Sequence, residues 1–147
     1  MLPDLSIDYP GGMGGLGLDD SFVRRYLSKN LTILLGDADT NPDAPDLPRN
    51  EAAQSQGPHR LARGLWHYEY CRKVAQRLGT SFGWRVETVP GAVHVDQAMF
   101  EIGAQIWSGW KIGKAGRGSS ELICCCMVVD ASCREILRAE ISATVPS

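Results

Sequence analysis

Hydrophobic positions recur with two different periods between residues 19 and 107. Phe22, Val23, Tyr26 and Leu27 share one helical face behind Asp19 or Asp20, either of which can cap the helix, and Asn30 ends it. Residues 31–35, LTILL, form an apolar run too short for a helix and suited to a strand buried on both faces. Gly36 breaks it, and residues 37–48 are an Asp- and Pro-rich loop. Gly57-Pro58 opens the next helix, with proline allowed in its first turn. Leu61, Leu65, Tyr68, Ala75 and Leu78 then recur at helical spacing, and Gly79 is a stop signal. Phe82, Trp84 and Val86 alternate with Gly83, Arg85 and Glu87, which predicts a strand ended by Pro90-Gly91. Asp96 can cap a last helix, where Met99, Ile102 and Ile106 share a face.

A strand, a crossover helix and a second strand predict an α/β fold whose two strands run parallel. Parallel strands deliver their carboxyl ends to one rim, where ligand sites form. Asp37 and Asp39 follow the first strand and His94 follows the second, so an acid and a histidine 55 positions apart reach the same edge.

The flanks differ in character. Residues 1–18 carry Pro3, Pro10 and a glycine-rich stretch, and are expected to be a flexible loop. In residues 108–147, glycines interleave with Lys111, Lys114 and Arg117. An apolar run over 122–129 and a charged helical pattern over 132–141 follow. The formal net charge is −2 and 44% of residues are apolar, which suits an ordinary globular domain and argues against phosphate-dominated nucleic-acid binding. No apolar run is long enough to span a bilayer, and MLPDLSIDYPGG lacks the basic start and apolar core of a signal peptide. A cytoplasmic location is therefore the default expectation. The 5 cysteines form no C-x-x-C pair. Cys124, Cys125 and Cys126 are expected in a buried strand.

A carboxylate beside a histidine fixes the imidazole tautomer and stabilises its charged form, so that the ring can act as a general base. Acid before histidine at successive strand ends is also the order of the last two members of an α/β-hydrolase triad. The alternative is that Asp39 and His94 only shape turns. The wording of LLGDADTNPDAPDL, AAQSQGPHRLARGLWHYEYC and WRVETVPGAVHVDQAMF resembles the carboxyl-terminal part of the α/β-hydrolase superfamily, in particular bacterial hydrolases of that fold. The resemblance implies that Gly36-x-x-Asp39 supplies the acid, with Asp37 second choice, and that Val89-Pro90-Gly91-x-x-His94 supplies the base. It also implies a partial α/β-hydrolase fold, with the amino-terminal half and its nucleophile elbow expected before Met1. Val93 stands where the family more often has glycine, and the resemblance fades near Trp107, leaving 108–147 as an atypical extension.

Other motifs fit their context poorly. Gly79-Thr80-Ser81-Phe82-Gly83 matches G-x-S-x-G, but a helix precedes it and a strand follows, the reverse of a nucleophile elbow. Gly12–Gly17 matches G-x-G-x-x-G without a strand before it, and Gly109–Lys114 is one residue short of a phosphate loop. His59 and His67 are expected to face solvent, as is a basic face of Arg60, Arg63, Arg72, Lys73 and Arg77. The resulting expectation is the acid-and-histidine part of a serine hydrolase acting on a small ester. It includes no metal, cofactor, nucleic acid or membrane, but does include self-association through exposed sheet edges. The alternative is a non-catalytic truncated gene product or interaction module.

Overall fold

A computed structural model describes residues 2–9, 11–94, 97–112 and 122–125. The elements in chain order are α1 (Asp20–Ser28), β1 (Leu31–Gly36), α2 (Glu51–Gln54), α3 (Arg60–Leu78), β2 (Trp84–Val89), α4 (Gln97–Ile112) and β3 (Leu122–Cys125). Asp19 caps α1 by accepting from the Phe22 amide at 3.0 Å, and Val23 and Leu27 are the buried side of that helix. His59, not Pro58, is the residue at the start of α3, its Nδ1 accepting from the Ala62 amide at 3.3 Å. Gly79 ends α3 in a left-handed conformation (φ 62°), which lets the Thr80 amide reach back to the Ala75 carbonyl.

The described strands form one parallel sheet in the order β2-β1-β3. β1 and β2 pair evenly along their full length, from Leu31 opposite Trp84 to Gly36 opposite Val89. β3 pairs on the other side, Leu31 opposite Leu122, so part of the apolar run at 122–129 joins the same sheet. All six residues of β1 are buried, as a central parallel strand requires.

The chain steps from β1 to β2 and then back past β1 to β3. Right-handed crossovers in opposite directions must lie on opposite faces, and the packing follows that rule. Leu31, Ile33 and Leu35 meet Val23 and Leu27 of α1 and Cys71, Val74 and Ala75 of α3. Leu34 meets Val89, Ala92 and Met99 of α4 on the other face.

Two expectations are corrected here. The described residues of the 2–18 segment form no helix or extended strand, but they are packed on the core rather than flexible. Met13 is fully buried in the core, and Tyr70 of α3 donates to Asp4 at 2.6 Å. Leu65 is 42% exposed, because the buried stripe of α3 runs through Arg60, Arg63, Gly64, Cys71, Val74 and Ala75. Asp96, Cys126, the stretch after Ile112 up to Lys114 and the pattern over 132–141 lie outside the described residues. No described helix is long and apolar enough to cross a membrane.

Candidate active site

Connections leave the ends of β1 and β2 toward opposite faces, which opens a crevice between the two carboxyl ends. The loops bounding it are laced together by backbone. The Asp37 amide donates to Val89 O at 3.2 Å and the Ala38 amide to Ala92 O at 3.1 Å. The Asp37 carboxylate accepts from the Gly91 amide at 2.6 Å. Gly36 is required beneath this lacing, since a Cβ there would lie 2.3 Å from Ala92 O. The acid turn and the histidine turn are thus one backbone unit.

Asp39 turns inward and is buried, and its backbone carbonyl accepts from the Leu61 amide in the first turn of α3. Its Oδ2 lies 3.6 Å from His94 Nδ1 and its Oδ1 3.5 Å from Arg60 Nη1. The acid therefore faces an imidazole on one oxygen and a guanidinium on the other. Arg60 continues outward, its Nη2 lying 2.6 Å from Asp46 Oδ1. That hydrogen bond from Arg60 holds the exposed Asp46 carboxyl below its usual pKa. With Nδ1 turned to Asp39, the Nε2 side of the ring is left for a reacting group. Leu34, Leu35 and Met99 supply apolar walls beside Asp39, Arg60 and His94. No serine, threonine or cysteine is among the described residues lining this cleft.

The remaining candidates lie elsewhere. Asp37 is exposed and engaged with the Gly91 amide. Ser81 is exposed on the turn that leads into β2, at the opposite end of the strand from His94. Gly12 and Gly14 are buried, and a Cβ on either would lie within 2.8 Å of the Ile7 carbonyl oxygen. Backbone fills the space that a phosphate would need. Among the described residues, no cluster of His, Cys, Asp or Glu could hold a metal ion.

The solvated basic face is half corrected. Arg72, Lys73 and Arg77 are exposed, but Arg60 and Arg63 are buried. Arg63 donates from Nε to Gly57 O at 2.8 Å and from Nη1 to Pro48 O at 2.9 Å, strapping the loop before α3, and burial pushes its pKa down. His67 is also corrected. It packs on Trp84 with ring centroids 5.9 Å apart, and burial lowers its pKa to about 4. Arg60 and Asp46 were not foreseen as site residues, although the sequence held a clue. Two arginines open α3 with no acid in its first turn. Cations at a helix amino terminus oppose its dipole, so such a pair needs partners elsewhere.

The chain is similar to two solved hydrolases. Poly(aspartic acid) hydrolase-1 from Sphingomonas sp. KT-1 matches with a TM-score of 0.69 and 40% identity, over 71% of this chain and 40% of that one. LpqC, a poly(3-hydroxybutyrate) depolymerase from Bordetella parapertussis, matches with a TM-score of 0.69 and 38% identity, over 78% of this chain and 39% of that one. The chain thus spans 40% and 39% of the lengths of these two proteins. Its mixed α/β fold of parallel strands and helices is similar to hydrolase structures. No protein-family profile and no curated protein matches the sequence.

Proposed function

We propose that this chain carries the acid and the base of a serine-type acyl hydrolase. The observation that carries the reading is the buried Asp39 carboxylate facing His94 Nδ1 at 3.6 Å, on a shared rim beside an apolar cleft. That separation is longer than a hydrogen bond, and such contacts tighten when substrate binds. In this chemistry a serine oxygen attacks an acyl carbonyl and its proton passes to His94 Nε2. Asp39 holds the Nδ1–H tautomer and stabilises the imidazolium. The proton then goes to the leaving group, and water repeats the sequence on the acyl-enzyme. The serine and the oxyanion donors come from outside the described residues. The two similar hydrolases are named for a polyamide and a polyester, and both linkages are acyl bonds open to this reaction.

The experiment is complementation. Full-length chain is mixed with the portion of the Sphingomonas enzyme that it does not match, and release of fragments from poly(aspartic acid) is followed. The expected result is turnover that neither part shows alone, abolished by His94→Ala and reduced about 10³- to 10⁴-fold by Asp39→Asn. An associated but inert pair, or turnover indifferent to His94→Ala, would overturn the reading. So would stoichiometric labelling of Ser81 in the chain alone by a fluorophosphonate probe.

A further inference from the structure

The reaction above uses Asp39 and His94 and leaves a buried guanidinium unaccounted for. Arg60 is 7% exposed and stands in the first turn of α3, where the helix dipole disfavours a cation. Burial of a charge is sustained only by partners, and Arg60 has one on each side. Nη1 faces the buried Asp39 and Nη2 meets Asp46, whose side chain is 69% exposed. The planar fork of arginine can face two carboxylates at once, which a lysine ammonium cannot do with the same geometry.

We infer that Arg60 is a positioning residue that acts through Asp39, sharing its carboxylate with His94 and so setting how much negative charge the imidazole feels. This inference rests on the reading of Asp39 and His94 as an acid–base pair. Asp46 is the outer half of the device. By drawing on Arg60 it leaves Asp39 more of its own charge. A surface carboxylate in the loop after β1 is thereby coupled to the histidine turn after β2. The other described groups nearby leave this chain of charges clear. Asp37 is bound to the Gly91 amide, and Arg63 is turned to Pro48 O and Gly57 O. α4 presents Met99 to the cleft, while its exposed Glu101 accepts from Gln97.

The test is the titration of the His94 ring by NMR in the full-length chain, its signal assigned by loss in His94→Ala. Removing the cation with Arg60→Met should raise the midpoint by about one pH unit, because the imidazolium no longer shares Asp39 with a second positive charge. Arg60→Lys keeps the charge and should leave the midpoint near that of the native chain. Asp46→Asn should move it the opposite way, down by a few tenths of a unit. An arginine not coupled to the pair would leave the midpoint unmoved on removal. Midpoints for Arg60→Met and Asp46→Asn within about 0.1 unit of the native chain, less than charges so close should cause, would overturn the inference. If Arg60→Met does not fold, the exposed Asp46→Asn substitution decides alone. Shifts as stated with no turnover in the complemented complex would discard the hydrolase reading and keep the role of Arg60. Turnover with an unmoved titration would do the reverse.

Discussion

Odd and even positions of β1 lie in very different surroundings. Leu31, Ile33 and Leu35 sit in a cluster that includes Met13, Val23 and Leu27 of α1, Cys71, Val74 and Ala75 of α3, and an aromatic group built on Trp84. Trp84 meets Tyr26 edge-on at 5.1 Å and Phe82 at 5.6 Å, and Phe82 continues to Tyr68 at 5.3 Å. Across the sheet, the buried neighbours of Leu34 among the described residues are Val89, Ala92 and Met99. Burial drives folding in proportion to apolar area. Among the described residues the α1–α3 face buries more apolar side chains, and the α4 face carries the histidine turn.

Truncation on each face tests that contrast. Ile33→Ala removes a fully enclosed side chain and should cost about 3 kcal/mol in urea denaturation. Ile102→Ala on α4 removes a partly buried one and should cost about 1 kcal/mol. Equal losses would break the comparison.

Acid sharpens it. Folding lowers the pKa of His67 from 6.5 to about 4, so the unfolded chain holds that proton more tightly. The contribution of neutral His67 is complete above pH 6.5 and is lost as pH falls toward 4, by about 3 kcal/mol. Stability measured across that window should fall in the native chain and stay nearly flat in His67→Gln. The depressed carboxyls of Asp4, Asp19 and Asp46 titrate below it.

A smaller effect is expected at the junction of the faces. Gly36→Ala drives a Cβ against Ala92 O and should cost about 2 kcal/mol. It should also displace the NMR signals of His94, which Ile33→Ala leaves in place. Unmoved His94 signals would separate the turn from the strand beneath it.

Much of this architecture was legible in the sequence, because buried parallel strands and capped helices write their own periods. LTILL, a cap at Asp19 or Asp20, the Gly79 stop and the alternation through Trp84 are legible as elements, and the parallel pairing of β1 with β2 follows from the helix between them. What stayed hidden depends on contacts distant in sequence. The end of Arg60 is buried only because residues 39 and 46 fold back over the start of α3. Met13 looks like a loop residue until the core closes on it. His67 gives no local sign that Trp84 will cover its ring. Charge and glycine content describe a residue's neighbours in sequence, whereas burial depends on its neighbours in space.

The even pairing of β1 with β2 has a consequence beyond stability. Asp39 lies three residues past Gly36 and His94 five past Val89, both counted from partners that sit level in the sheet. Sliding β2 by two residues would carry His94 about 7 Å from Asp39 while keeping every side chain on its proper face. The backbone lacing of residues 37 and 38 to Val89 and Ala92 resists that slide at the rim, and the bulky Trp84 resists it at the far end. The indole therefore serves as the second mark of a vernier scale, helping to fix from about 20 Å away the alignment read at the rim.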